Sequence, residues 1–155
     1  MSLRDQIAED LKNAMRAKDG LTLSTLRLVQ AAIKDRDIAA RAEDRCQGCE
    51  EGEIMVLLQK LVKQREESAQ TYEGAGRLDL AERERAEADI VRAYLPTPMC
   101  EQEIEKAAES VVGELGATGL KDMGKCMGAL KQRYTGRMDF AKAGETVKSL
   151  LQGRA

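Results

Sequence analysis

The sequence predicts an all-α, multihelical protein, and three observations carry that reading. Apolar residues recur at helical spacing from one end of the chain to the other, and no comparable run alternates with period two. Ala, Leu, Glu, Lys, Gln and Arg dominate, the residues that lose least side-chain entropy in a helix. Aromatic residues make up only 3% of the 155, with one Phe and no Trp, so the enrichment that strands favour is missing.

Leu3, Ile7, Leu11 and Met15 define the first helix, Leu26, Val29 and Ile33 the second. Ile54, Leu58, Leu61, Val62 and Ala69 mark a third, and Leu80, Ala81, Ala88, Val91 and Leu95 a fourth. Breaks fall at Asp19-Gly20, at Gln47-Gly48 with Gly52, and at Gly74-Ala75-Gly76, between periodic segments. Residues 1–95 are therefore expected to form an N-terminal four-helix domain. Both prolines, Pro96 and Pro98, lie in the linker 96–98, where each also disfavours helix at the residue before it. Beyond it, 99–155 reads as a C-terminal three-helix domain. Its helices carry Ile104, Ala108, Val111, Val112 and Leu115, then Met123, Met127, Leu130 and Tyr134, then Phe140, Ala143, Val147, Leu150 and Leu151.

Composition excludes several classes. Twenty-five bases against 27 acids argue against a general nucleic-acid binder, which neutralises many phosphates with excess Lys and Arg, so any such role rests on a local patch. The absence of His removes His-based triads, Cys–His pairs and the commonest metal ligand. No serine has a base in a recognisable spacing, and Gly113, Gly116, Gly119 and Lys121 do not match a phosphate-binding loop. No catalytic residue, cofactor or metal is expected. Early acids and the lack of a long apolar run predict a cytoplasmic protein without membrane contact.

Cys46 and Cys49 have the spacing of half a zinc site or a redox dithiol, yet zinc would need two further ligands and no βαβ context follows. They read as free thiols in a loop. Cys126 reads as a small core residue, and Cys100 occupies the capping position of the helix after it. The run Glu82 to Asp89 reads mostly as a solvated face. Folding the third and fourth helices back around Gly74 and Gly76 brings Arg65 to the turn of Glu84 and Glu87, and Arg27 is expected to be buried in the same structural network.

Charge divides the C-terminal part. Glu101, Glu103, Glu105, Glu109 and Glu114 make its first helix acidic, whereas Lys121, Lys125, Lys131, Arg133 and Arg137 make its second basic. Gly124 and Gly128 lie one helical turn apart there, and two glycines inside a helix suggest close approach of another backbone. A neighbouring helix is the expected partner and a sugar-phosphate chain the alternative. If the protein binds nucleic acid, Lys121, Gly124, Lys125, Gly128, Lys131, Arg133 and Arg137 form the expected surface.

Several spaced motifs resemble the GatB/YqeY family: Leu26-Arg27-Leu28 leading to Ala31-Ala32-Ile33-Lys34; Lys63-Gln64-Arg65 with Ser68 and Tyr72; Arg77-Leu78-Asp79-Leu80-Ala81 with Glu84 and Glu87; Tyr94-Leu95-Pro96; and Asp122-Met123-Gly124 through Met127-Gly128. The chain resembles a stand-alone YqeY-like protein. That resemblance implies a multihelical fold and kinship with the tail of the B subunit of glutamine-dependent Asp/Glu-tRNA amidotransferase, where the tail helps to hold tRNA. It implies tRNA as a partner, together with amidotransferase or aminoacyl-tRNA synthetase components, and a carbon–nitrogen ligase label with glutamine as amido donor. The chain lacks the catalytic cradle and glutaminase of that enzyme, so any amide transfer falls to other subunits. A helical protein–protein adaptor is the alternative reading. Thr97-Pro98-Met99-Cys100 and the Cys46–Cys49 loop depart from the usual family pattern.

Overall fold

The computed structural model describes residues 2–153, all helix, turn or loop with no strand among them. Contacts divide the chain into two compact units, with the boundary between Leu95 and Pro96. Among the described residues no helix is long and apolar enough to cross a membrane.

Unit 1 contains α1 (Leu3–Ala17), α2 (Gly20–Ala42), α3 (Glu51–Gly74) and α4 (Leu78–Arg92). Ser2 caps α1 by accepting from the Asp5 N–H at 3.2 Å, and Lys18, left-handed at φ 57°, ends it. Asp19 then accepts from the Thr22 N–H at 3.2 Å, so Gly20 is already helical and the break sits just before the expected glycine. Around Ala75-Gly76, the N–H of Arg77 returns to the carbonyl of Tyr72 at 2.8 Å and Gly76 adopts φ +76°, which closes the α3–α4 hairpin. The core joins Leu3 and Ile7 of α1, Leu26, Val29 and Ile33 of α2, Ile54, Leu58 and Val62 of α3, and Ala88 and Val91 of α4. These are the periodic positions of the sequence, each burying one stripe of its helix.

Unit 2 contains α5 (Glu101–Glu114), a 3-10 turn (Leu120–Asp122), α6 (Met123–Tyr134) and α7 (Phe140–Gly153). Cys100 caps α5 in a capping box with Glu103, whose carboxylate accepts the Cys100 N–H at 3.0 Å. The three helices pack pairwise around Ile104, Ala108, Val111, Val112, Cys126, Leu130, Met138, Ala143, Val147 and Leu151. Ala107, Ala108, Ala117, Cys126 and Ala143 are small members of this core that let the helices approach closely. Burial raises the thiol pKa of Cys126, with a smaller push from Asp122, as suits an inert core residue.

Candidate nucleic-acid interface

α6 turns Cys126 and Leu130 fully into the core of unit 2, so the opposite side of the helix must face solvent. Gly124, Gly128 and Lys131, at i, i+4 and i+7, lie on that side, with Lys121 and Lys125 beside them. All five are exposed. A Cβ built on Gly124 or Gly128 would meet nothing within 4 Å. The expectation that a neighbouring helix explains these glycines is therefore corrected: α5 and α7 pack on the Cys126–Leu130 face, and the glycine face is bare.

The basic residues separate into two groups. Lys121, Lys125 and Lys131 make no ion pair among the described residues. Arg133 instead donates to Glu114 at 2.6 Å, and this bond, with the nearby positive charge, lowers the pKa of Glu114. Arg137 directs its Nε–H to the Thr97 carbonyl at 3.5 Å, and its own carbonyl accepts from Met99 at 3.0 Å. Both arginines are exposed, but they tie unit 2 together, whereas the lysines are left free. α6 itself contains no acidic residue, and the Asp122 carboxylate of the preceding turn accepts the Thr118 N–H at 3.1 Å.

Unit 1 handles its charges differently. Arg65 Nη1 lies 2.9 Å from Glu87 and 3.5 Å from Glu84, joining α3 to α4. The side chains of Arg65 and Glu87 are only 15% and 10% exposed, and Arg65 Nε is buried without a partner. Arg27 does not join them. It is exposed, because α2 turns its neighbour Leu26 and then Val29 and Ile33 inward, leaving position 27 on the outer side. The expected burial of Arg27 is corrected accordingly.

Sequence reasoning missed a second network. Arg4 pairs with Asp37 across α1 and α2, and the same guanidinium reaches the Cys49 carbonyl at 3.0 Å and its Sγ at 3.2 Å. Asp37 also accepts the Cys49 N–H at 2.9 Å and lies 3.1 Å from its Sγ. Arg4 holds the Asp37 carboxyl well below the usual carboxylate range, while burial and then Asp37 raise the pKa of Cys49. Cys49 is thus a buried thiol, whereas Cys46 is exposed. No three Cys, Asp or Glu side chains among the described residues are grouped to hold a metal ion. Gly48, beside Cys49, sits at φ +86°, and a Cβ there would stand 2.5 Å from Asp37 Oδ1.

The fold and this face define a helical protein with two packed units, a charge-stapled one and one with a bare basic helix face. A profile of Yqey-like proteins matches residues 4–151, and the chain belongs to the YqeY family. Its relatives include proteins named "Altered inheritance of mitochondria protein 41, mitochondrial". The one from Lachancea thermotolerans is 35% identical over 70% of this chain and 57% of its own length. That from Pyrenophora tritici-repentis is 31% identical over 85% of this chain and 71% of the relative. In Meyerozyma guilliermondii the identity is 38% over 57% of this chain and 44% of the relative. The chain thus spans little more than half the length of the first of these relatives.

Proposed function

We propose that the protein is a tRNA-binding accessory module whose contact surface is the Lys125 and Lys131 face of α6 together with Lys121 of the 3-10 turn before it. One observation carries the reading: three unpaired lysines surround two glycines with open space above them. A sugar-phosphate backbone uses both properties, since ammonium groups neutralise phosphates and bare glycines admit the chain closely. The likeness to the amidotransferase B-subunit tail supports tRNA as the nucleic acid. Any carbon–nitrogen ligase chemistry would belong to partner subunits, among them amidotransferase or synthetase components, because the likeness covers the B-subunit tail and not its catalytic cradle or a glutaminase. The required compartment is one in which tRNA is aminoacylated. Cytoplasm meets that need, and so does the mitochondrion to which the relatives' names point.

The test is a salt series of tRNA binding with Lys121→Glu/Lys125→Glu/Lys131→Glu. Binding should weaken, and the slope of log K against log salt should flatten by about 0.7–0.9 for each phosphate no longer neutralised. Arg133 stays unchanged in this variant, since its replacement would also break the bond to Glu114. A triple variant of full helicity that binds tRNA as tightly as the parent overturns the proposal. A second reading, a helical adaptor for another protein, is favoured by a different surface, the exposed side of α2.

A further inference from the structure

α2 is 23 residues long, about 34 Å at 1.5 Å per residue, and buries Thr25, Leu26, Val29, Ile33 and Ala40 in unit 1. On its other side Leu28, Ala31, Asp35, Ile38 and Ala42 are all exposed and follow one another at alternating spacings of three and four. That alternation is the seam of a coiled coil, whose partner helix covers those positions. Leu28 is 55% and Ile38 64% exposed, so the seam is uncovered by the protein's own packing. Single exposed apolar residues are ordinary, but Leu28, Ala31, Ile38 and Ala42 share one seam, interrupted only by Asp35.

The flanks of the seam are unequal. Arg27, Lys34 and Arg41 recur every seven residues on one side, all exposed and none in an ion pair among the described residues. Arg36 of the same helix, by contrast, bonds Glu53 at 2.9 Å. On the other side Ala32 and Ala39, also seven apart, permit close approach.

We propose that this face of α2 docks an amphipathic helix of a partner protein, with an apolar seam, a row of Asp or Glu along the basic flank, and one basic residue opposite Asp35. Charge complementarity selects that occupant. A second copy of α2 does not fit: antiparallel pairing sets the rows of Arg27, Lys34 and Arg41 against each other, and parallel pairing brings two Asp35 carboxylates together in the seam. RNA would engage the basic row but leave Leu28 and Ile38 wet and meet Asp35. The inference is independent of the tRNA reading, which concerns another unit.

Two synthetic three-heptad peptides test it against the full-length protein by fluorescence anisotropy. They share an apolar seam with a lysine opposite Asp35 and differ only in flanks of Glu or of Lys. The Glu-flanked peptide should bind, and the Lys-flanked one about tenfold or more weaker. In Arg27→Glu/Lys34→Glu/Arg41→Glu that preference should reverse, a swap that loss of folding cannot mimic. Leu28→Asp/Ile38→Asp should abolish binding of both peptides while circular dichroism keeps the parent helicity. Equal affinity for the two peptides, or binding that survives the seam variant, overturns the proposal. So does a dimer that Ile38→Asp dissolves, or tRNA binding that the α2 charge variant abolishes and the α6 variant leaves intact.

Discussion

The two units stabilise helix packing by different means. Among the described residues only Arg133–Glu114 and Lys142–Glu101 are ion pairs of unit 2, and all four side chains are well exposed. In unit 1 charged groups enter the packing itself, with Arg65, Glu84 and Glu87 between α3 and α4, Asp37 and Arg4 between α1 and α2, and Glu53 receiving both Arg36 and Arg45. Long helices meeting over polar stretches need directional contacts to hold their register, whereas unit 2 closes three short helices over an almost wholly apolar core. The comparison teaches where function can reside. Cations of unit 1 that lie between helices are committed to structure, while Lys125 and Lys131 of α6 and Arg27, Lys34 and Arg41 on the outer side of α2 are not.

The sharpest way to break this contrast is Glu87→Ala. It strands the largely buried Arg65, leaving only the longer approach to Glu84, and should cost unit 1 about 3–5 kcal/mol in urea unfolding. Glu114→Ala in unit 2, between half-exposed partners, should leave the unfolding midpoint where it was. Residue-resolved hydrogen exchange would assign each change to its unit; equal losses would erase the distinction.

Gly48→Ala comes next. Its Cβ would press on Asp37 at a left-handed φ, so a loss of about 1–3 kcal/mol is expected, with the faster amide exchange appearing around Asp37 and Cys49. In unit 2 the opposite sign applies: Gly124→Ala or Gly128→Ala meets no atom within 4 Å and should stabilise α6 by about 1 kcal/mol each. Thermal unfolding measures that gain. If the bare glycines admit a nucleic-acid backbone, the same variants weaken tRNA binding while raising stability.

The smallest effect is a difference in acid response. Arg45, the Glu50 N–H and Arg36 hold the Glu53 carboxyl down to about 2, and Arg4 holds Asp37 low as well. A carboxyl with a depressed folded pKa adds stability that is fully present above its unfolded value, about 4, and is lost as pH falls through the folded value. Unit 1 should therefore lose stability progressively from about pH 4 towards about pH 2. Asp37→Asn should lower its stability at neutral pH and flatten that decline, as urea midpoints taken along the pH series will register.

The helices themselves were legible from residue spacing. Ile7, Leu58, Val91 and Leu130 all fall on the buried stripes that periodicity marked, because burial of one face repeats every three to four residues. The hairpin around Gly76 likewise allowed Arg65 to be matched with Glu84 and Glu87, a contact that follows from two adjacent helices and one turn. Arg27 was misplaced because hairpin geometry does not determine the rotation of a third helix. Arg4 and Cys49, 45 residues apart, carried no local sign of their meeting.

What the sequence determined by itself is the number and order of the helices and their apolar stripes, which depend on residues within a turn or two of one another. Only the tertiary structure decided which charges are spent between helices and which remain outside. Arg133 and Lys131 look alike in the sequence, but one is bound to Glu114 and the other faces open solvent. The bareness of Gly124 and Gly128 is of the same kind. Local chemistry prepares a helix for close approach, and the packing of α5 and α7 on its other side leaves that approach to a molecule from outside.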